Sequence, residues 1–193
     1  MELLFATGNP NKVREIRALL PEGWQILSLQ DMGFTEEIPE TASTLAGNAE
    51  LKAQFLYEKI GKDVLAEDTG LEVDALGGEP GVYSARYAGP GKDMEQNIAL
   101  LLSNLDGVQD RKARFKTVVA LFLEGEMHLF TGTLEGQIGY EKRGEGGFGY
   151  DPVFVLPDGR TLAELSLAEK SSISHRGKAV KLLLEFLQEE QRR

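Results

Sequence analysis

The stretch from Leu3 to Leu20, LLFATGNPNKVREIRALL, joins an apolar run to an amphipathic run through a glycine-containing turn. Leu3–Ala6 predicts a short buried strand. Asn9 is a suitable N-cap and Pro10 suits the first position of a helix that reaches about Leu20. The apolar face of this helix would carry Val13, Ile16, Leu19 and Leu20. With a second strand predicted near Trp24–Leu27, the stretch predicts a βαβ-like opening.

The rest of the chain predicts helices and strands in alternation, followed by a hairpin. The predicted elements are a helix capped by Ser43 or Thr44 and reaching Gly61, a strand over Lys62–Ala66, a long loop over Gly77–Gly91, a helix over Asp93–Leu105, a hairpin of Lys112–Leu123 with Glu126–Gln137, a strand over Val153–Leu156, a weak helix over Leu162–Ser171, and a final helix capped by Ser174 with Ala179, Leu182, Leu183, Phe186 and Leu187 inward. This order predicts an α/β fold with a mixed sheet. Without a linker or repeat, residues 1–193 read as one domain.

Composition excludes several classes of protein. The net charge of −10 argues against broad attraction to nucleic acid or to an anionic membrane. Cysteine is absent and histidine occurs twice, which excludes thiolate catalysis and zinc sites built on cysteine or several histidines. The N-terminus lacks the features of a signal peptide, and the longest apolar run, Val118–Leu123, is too short to span a bilayer. We therefore expect a soluble, cytoplasmic protein.

The turn Thr7-Gly8-Asn9-Pro10-Asn11-Lys12 is a candidate phosphate site. A glycine between a strand and a helix lets the backbone approach a ligand, and the helix N-terminus offers free N–H groups. Lys12 adds a full positive charge. The GxxxxGK[ST] spacing of a P-loop is absent. A capped helix with no ligand explains the same residues.

The second helix carries two polar residues inside its apolar arc. At ~100° per residue, Asn48 and Lys52 lie one turn apart between the stripe that contains Ala49 and Ala53 and the apolar residues Leu51 and Phe55. A buried lysine needs an anionic partner. That partner is either an internal carboxylate or a bound phosphate, with Asn48 orienting a nearby carboxylate or water.

Glu67-Asp68-Thr69-Gly70 follows a predicted buried strand. Ligands of open α/β sheets bind at this edge, and neighbouring carboxylates on a strand point to opposite sides. One of them is therefore a candidate magnesium ligand, with Glu40 as a second, because Mg²⁺ takes one or two carboxylates plus substrate phosphates. An Asx-capped turn is the alternative.

The glycine-rich segment Gly144–Gly149 matches GxGxxG, yet it precedes a strand, whereas a dinucleotide fingerprint follows one. Phe148, Tyr150 and Asp151 instead suggest a loop that stacks on a purine and accepts hydrogen bonds from its edge. A flexible loop without a ligand is the alternative.

The start of the last helix gathers hydrogen-bond donors, among them His175 and Arg176, with Lys170 nearby in the chain. Cations at a helix N-terminus oppose the helix dipole, so an anion or a carbonyl-rich ligand would relieve the conflict. A solvated basic face is the alternative.

Together these motifs resemble the Ham1-like family of inosine/xanthosine triphosphate pyrophosphatases. The resemblance covers almost the whole chain in order and spacing: Thr7–Lys12, Pro39-Glu40-Thr41, Asn48-Ala49, Lys52-Ala53, Glu67–Leu71, Ala75–Arg86, Gly147–Pro152 and Ser174–Ala179. Gly47 and Leu45 depart from the glutamate and phenylalanine usual there. Glu67 and Thr69 are conservative replacements of aspartate and serine.

The resemblance implies a homodimer with an elongated mixed sheet flanked by helices, and a central cleft between two lobes. It implies that Mg²⁺ is bound by Glu40 and Asp68, with Asp68 also the general base, assisted by Glu67. It implies substrate contacts from the Thr7–Lys12 turn, including Gly8, Pro10 and Asn11, and from Lys52, Thr69, Phe148, Gly149, Tyr150, Asp151, Lys170, His175 and Arg176.

The activity implied by the resemblance is hydrolysis of inosine, deoxyinosine and xanthosine triphosphates to monophosphate and pyrophosphate, which clears deaminated purines from the nucleotide pool. Three alternatives compete with it. They are a nucleotide-binding module without catalysis, a nicotinamide-dependent reductase built on Gly144–Gly149, and a pyrophosphatase for modified pyrimidine nucleotides.

Overall fold

A computed structural model describes residues 2–190 and 192; Met1, Gln191 and Arg193 lie outside the described residues. The strands are β1 (Glu2–Phe5), β2 (Gln25–Ser28), β3 (Val64–Val73), β4 (Pro80–Gly81), β5 (Lys112–Leu123), β6 (Glu126–Ile138) and β7 (Phe154–Val155). The helices are α1 (Pro10–Leu19), α2 (Leu45–Ile60), α3 (Met94–Asn104), α4 (Leu167–Ile173) and α5 (His175–Glu190). None of these helices is both long and apolar enough to cross a bilayer.

The strands form one mixed sheet in the order β2-β1-β3-β5-β6-β7, with β4 paired to β3. β1 is parallel to β2 and to β3, so the predicted βαβ opening is confirmed. β4 is antiparallel to β3, and β7 is antiparallel to β6. The sheet is therefore of the mixed α/β type that the order of elements predicted.

The chain divides into two compact units, each with its own apolar core. Unit 1 comprises residues up to 68, residues 117–132 and residues from 175 onward; unit 2 comprises residues 69–116 and 133–174. The core of unit 1 includes Phe5, Ile16, Leu65, Leu121, Val180 and Leu183. The core of unit 2 includes Leu71, Leu101, Phe115, Phe154 and Leu162.

The ends of α1 and α2 follow from their capping residues. Asn9 caps α1, its side chain accepting hydrogen bonds from the N–H groups of Asn11 and Lys12. Thr44 caps α2 by accepting from the N–H of Gly47, and Gly61 ends that helix in the left-handed conformation that favours glycine. Both predicted helices are confirmed.

Two predicted boundaries were wrong in detail. The strand predicted over Lys62–Ala66 continues to Val73, because β4 supplies a ladder partner for Leu71 and Glu72. The weak helix predicted over Leu162–Ser171 is a 3₁₀ turn at Leu162–Glu164 followed by α4, which begins with a capping box of Ser166 and Glu169.

The inward face of α5 also differs from the prediction in one residue. Ala179, Leu183 and Leu187 are buried as predicted, and Phe186 packs partly buried against the core of unit 1. Leu182 is 44% exposed, whereas Val180 takes a buried position.

Gly132 in β6 lets the first turn of α5 approach the strand within unit 1. A Cβ at this position would lie 2.0 Å from the carbonyl oxygen of His175 and 2.6 Å from the backbone nitrogen of Ala179. Both neighbours are backbone atoms, which cannot rotate away as a side chain can.

We expect Gly132→Ala to lower the free energy of unfolding by about 1–3 kcal/mol or more, because overpacking forces α5 away from β6. Urea titration followed by circular dichroism measures the change. Gly91→Ala is the matched control, since a Cβ there meets no atom within 4 Å. Equal stability of the two variants would contradict a close approach of α5 at Gly132.

Candidate active site

The Thr7–Lys12 turn leaves the sheet where β1 ends and is braced by its own side chains. The N–H of Ala6 donates to the carbonyl oxygen of Leu65 (2.8 Å), which ties the exit of β1 to β3. Thr7 Oγ1 accepts from the N–H of Asn9 (3.2 Å), and Asn9 Oδ1 accepts from the N–H of Asn11 (3.0 Å). No atom lies within 4 Å of the position of a Cβ on Gly8, so the backbone there is open to a ligand.

The side chains of Lys12, Glu15, Glu67 and Arg176 form a group that we call the anchor cluster. Arg176 donates to both oxygens of Glu67, from Nε (2.7 Å) and Nη2 (2.8 Å), and its Nη1 donates to Glu15. Lys12 Nζ lies 3.1 Å from Glu67 Oε1. The cluster holds two cations and two carboxylates, and this balance makes its burial tolerable.

Electrostatics fix the protonation states within the anchor cluster. Burial by itself would raise the pKa of Glu67, but the charges of Arg176 and Lys12 outweigh it and hold that pKa far below its usual value. Burial lowers the pKa of Lys12, and Glu67 only partly opposes the shift. Glu67 is therefore a poor proton acceptor at neutral pH and serves better as a fixed anion.

Glu40 and Asp68 converge on one cation, the ammonium of Lys52. Lys52 Nζ lies 2.8 Å from Glu40 Oε1 and 3.3 Å from Asp68 Oδ1. Asn48 Nδ2 donates to the second oxygen of Asp68 (3.1 Å), while Asn48 Oδ1 accepts from the N–H of Ala42 (2.9 Å). The burial of Asn48 and Lys52 predicted from the helix period is confirmed, and the lysine does meet an internal carboxylate.

Glu67 and Asp68 have separate sets of partners, as their alternation on a strand predicted. Glu67 contacts Lys12 and Arg176, whereas Asp68 contacts Lys52 and Asn48. The charges of Lys52 and Asp68 both act on the pKa of Lys12, so the two sets of partners interact electrostatically.

The donor set of Glu40 and Asp68 fits a hard cation. Their oxygens contact the same ammonium, so both can reach one positive charge. Within residues 2–190 and 192, no group of three or more His, Cys, Asp or Glu side chains could hold a metal alone. Two carboxylates suit Mg²⁺, which completes its shell with water and substrate phosphates.

In unit 2, Asp151 and Lys170 form a buried ion pair next to Phe148. Lys170 Nζ lies 2.5 Å from Asp151 Oδ2, and the same oxygen accepts from the N–H of Phe148 (2.8 Å). The ammonium also lies 4.9 Å from the centre of the half-buried Phe148 ring. Gly147 has a φ of +71°, and a Cβ there would lie 2.1 Å from Asp151 Oδ2, so this approach needs glycine.

Tyr150 does not present its ring for stacking. Its side chain is 4% exposed and belongs to the core of unit 2, and its hydroxyl donates to the carbonyl oxygen of Ser84 (2.7 Å). Burial raises the pKa of Tyr150 well above its usual value, so the phenol remains protonated. Of the two aromatic side chains in this loop, Phe148 is the one that a planar ligand can reach.

The predicted site residues fall into two groups. Unit 1 contains Thr7, Gly8, Asn9, Pro10, Asn11, Lys12, Glu40, Lys52, Glu67, Asp68, His175 and Arg176; unit 2 contains Thr69, Phe148, Gly149, Tyr150, Asp151 and Lys170. Arg176 donates from each guanidinium nitrogen to a carboxylate of the anchor cluster, and its contact with the substrate stays a prediction.

Sequence reasoning missed Glu15 and Ser84. Glu15 is three residues after Lys12, beside the apolar face of α1, and this position was the available signal for its burial. Ser84 lies in a loop whose length suggested a function, but no local pattern indicated that its carbonyl oxygen receives the Tyr150 hydroxyl.

The fold and the site define a class of protein. A mixed α/β sheet with a cationic helix N-terminus beside two convergent carboxylates is typical of enzymes that act on phosphate anhydrides or esters. The sequence profile of the Ham1 family matches residues 3–186, and the chain belongs to this family.

Individual relatives agree with that assignment. A dITP/XTP pyrophosphatase of Flavobacterium johnsoniae is 52% identical over 188 residues, covering 97% of this chain and 98% of the relative. The dITP/XTP pyrophosphatase of Bacillus subtilis is 47% identical over 192 residues, covering 97% of each chain. The solved structure of a Staphylococcus aureus Ham1 protein is 41% identical with a TM-score of 0.89, covering 98% of this chain and all of that one.

We expect Glu67→Gln to lower the free energy of unfolding at pH 7 by about 3–5 kcal/mol, because it leaves buried cations with one carboxylate fewer. The pKa of Glu67 is lower in the folded than in the unfolded protein. Its contribution is therefore fully present above the unfolded value of about 4.3 and is lost as the pH falls toward the folded value.

Urea titrations at several pH values between 7 and 3 measure the difference between wild type and variant. This difference should shrink below about pH 4.3. Glu185→Gln, on the exposed side of α5, is the control and should change stability little at any pH. A difference that stays constant down to pH 3 would contradict the depressed pKa.

Proposed function

We propose that this protein hydrolyses non-canonical purine nucleoside triphosphates, such as ITP, dITP and XTP, to a nucleoside monophosphate and pyrophosphate. The observation that carries the proposal is the convergence of Glu40 and Asp68 on Lys52, within electrostatic range of Lys12. The names of relatives about half identical over nearly the full chain support the same reaction and the same substrates.

In this proposal the triphosphate binds to the Thr7–Lys12 turn and to Lys52. The positive end of the α1 dipole and the open backbone at Gly8 suit an anion, and the two lysines offer full positive charge. Lys52 would exchange its contacts with Glu40 and Asp68 for phosphate oxygens. The net charge of −10 makes this local group of cations necessary for holding an anion.

Glu40 and Asp68 would hold Mg²⁺. When bound, the ion neutralises charge on phosphate oxygens and so favours attack at phosphorus. Asn48 keeps the Asp68 carboxylate in one orientation through the hydrogen bond from Nδ2.

Asp68 is assigned as the general base. It removes a proton from a water molecule whose oxygen forms a bond to the α-phosphorus, while the bond from that phosphorus to the bridging oxygen breaks and pyrophosphate leaves. Glu67 is assigned an anchoring role, because both its oxygens accept from Arg176 and its pKa is held low. Most of the acceleration would come from positioning and charge stabilisation.

The base would bind at the Phe148–Asp151 loop of unit 2. Phe148 offers a stacking surface, and Lys170 offers a donor for the 6-keto oxygen of hypoxanthine or xanthine. Adenine carries an amino donor at that position and would face the ammonium unfavourably. Contacts from Thr69, Gly149 and His175 stay predictions, as do the homodimer and the cytoplasmic location.

Product analysis tests the reaction. The protein with Mg²⁺ should convert ITP and XTP to monophosphate and pyrophosphate faster than ATP, GTP or dUTP, as resolved by ion-exchange chromatography. We expect Asp68→Asn to lower kcat by at least about a hundredfold, because it removes the proton acceptor. Diphosphate and phosphate as products, or full activity of Asp68→Asn, would contradict the mechanism.

Metal binding can be measured without turnover. Electron paramagnetic resonance of free Mn²⁺, in the presence of α,β-methylene inosine triphosphate, should show that Glu40→Gln and Asp68→Asn each weaken Mn²⁺ binding by about tenfold or more. Glu36→Gln is the matched control, since Glu36 lies in the same acidic loop and pairs with Lys59 (2.7 Å). Unchanged Mn²⁺ affinity in both site variants would refute this metal site.

A further inference from the structure

The long Gly77–Gly91 loop has a buried tie to β3 through Ser84. Ser84 Oγ accepts from the N–H of Leu71 in β3 (2.8 Å) and donates to the carbonyl oxygen of Gly81 (2.6 Å). The serine begins a 3₁₀ turn, Ser84–Arg86, and is buried. The hydroxyl therefore holds this part of the loop at a defined place in unit 2.

Asn97 of α3 holds the same loop from another side. It is 4% exposed, and its Oδ1 accepts from the N–H of Ala88 (2.7 Å). Its Nδ2 donates to the carbonyl oxygens of Ala85 (3.0 Å) and Ser84 (3.5 Å). A buried carboxamide with these contacts restrains the backbone of Ser84–Ala88 against α3.

The restrained loop provides the acceptor for Tyr150. The Tyr150 hydroxyl donates to the carbonyl oxygen of Ser84, and its ring is enclosed by the core of unit 2. Tyr150 immediately precedes Asp151, whose Oδ2 accepts from Lys170 and from the N–H of Phe148. The residue that precedes Asp151 is thus tied to the loop by a hydrogen bond.

We propose that Asn97, Ser84 and Tyr150 are positioning residues for base recognition, and that the Gly77–Gly91 loop serves as their support. They set the place of Asp151, Lys170 and Phe148 without contacting the substrate. This inference rests on the proposed function, since it assigns the recognition of the base to the Phe148–Asp151 loop. Small displacements of a buried donor and acceptor matter because recognition needs their geometry within about half an ångström.

Tyr150→Phe is the sharpest test, because it removes one oxygen atom and keeps the apolar ring. We expect KM for ITP to rise about three- to tenfold with kcat nearly unchanged, and the preference for ITP over ATP to narrow. Inhibition by inorganic tripolyphosphate, which has no base, should stay unchanged. Tyr140→Phe is the matched control, since that side chain is 75% exposed.

Asn97→Ala tests whether the effect passes through the loop. Asn97→Ala should change the preference for ITP over ATP less in the Tyr150→Phe background than in the wild type. The reason is that both substitutions act on the hydrogen bond between Tyr150 and Ser84. Fully additive effects on this preference would overturn the proposed route. If Asn97 had only a structural role, Asn97→Ala would lower the free energy of unfolding and leave the preference for ITP over ATP unchanged.

Hydrogen exchange of the Phe148 amide gives a readout that needs no activity. This N–H bonds to Asp151 Oδ2, so its exchange should become faster in Tyr150→Phe and stay unchanged in Tyr140→Phe. Unchanged exchange would overturn the positioning role even if the wild type hydrolysed no triphosphate. If the wild type hydrolyses ITP but Tyr150→Phe has the same KM and the same preference for ITP over ATP, the inference is overturned and the proposed function stands.

Discussion

The two hydrogen bonds that Arg176 donates to Glu67 are the interaction on which the site of unit 1 depends. They join α5 to β3 across 109 residues of sequence, and Glu15 and Lys12 complete a neutral group around them. A carboxylate without exposure to solvent is stable only with such partners. The cluster fixes the strand that carries Asp68 relative to the helix that carries Lys12.

The same physical principle operates separately in unit 2. The Asp151–Lys170 pair is buried, and the backbone of Phe148 supplies a further donor to the aspartate. Gly147 permits this close contact because any Cβ would meet the carboxylate. In both units, buried charges are held by specific partners. Proteins that recognise charged and planar ligands require such rigid placement.

Local patterns predicted more of the helices than of the strands. The helix period correctly placed Asn48 and Lys52 among buried residues of α2, since periodicity depends on neighbours within one or two turns. The extent of β3 beyond Ala66 could not be predicted in this way, because it depends on a partner strand that follows in the chain. Tyr150 was misjudged for a similar reason: an aromatic residue in a glycine-rich loop suggests stacking, whereas its hydroxyl meets a carbonyl oxygen 66 residues earlier.

By itself, the sequence determined the order of the elements, the cap of α1, the opposite orientations of Glu67 and Asp68, and the set of motifs shared with one family. Only the tertiary structure decided which charges neutralise each other. It assigned Arg176 to Glu67 and to Glu15, 161 residues away, and it assigned Lys52 to Glu40 and Asp68. The physical reason is range: propensity and periodicity act over a few residues, whereas the partner of a buried charge is chosen by whichever distant segment the packed core brings within hydrogen-bonding distance.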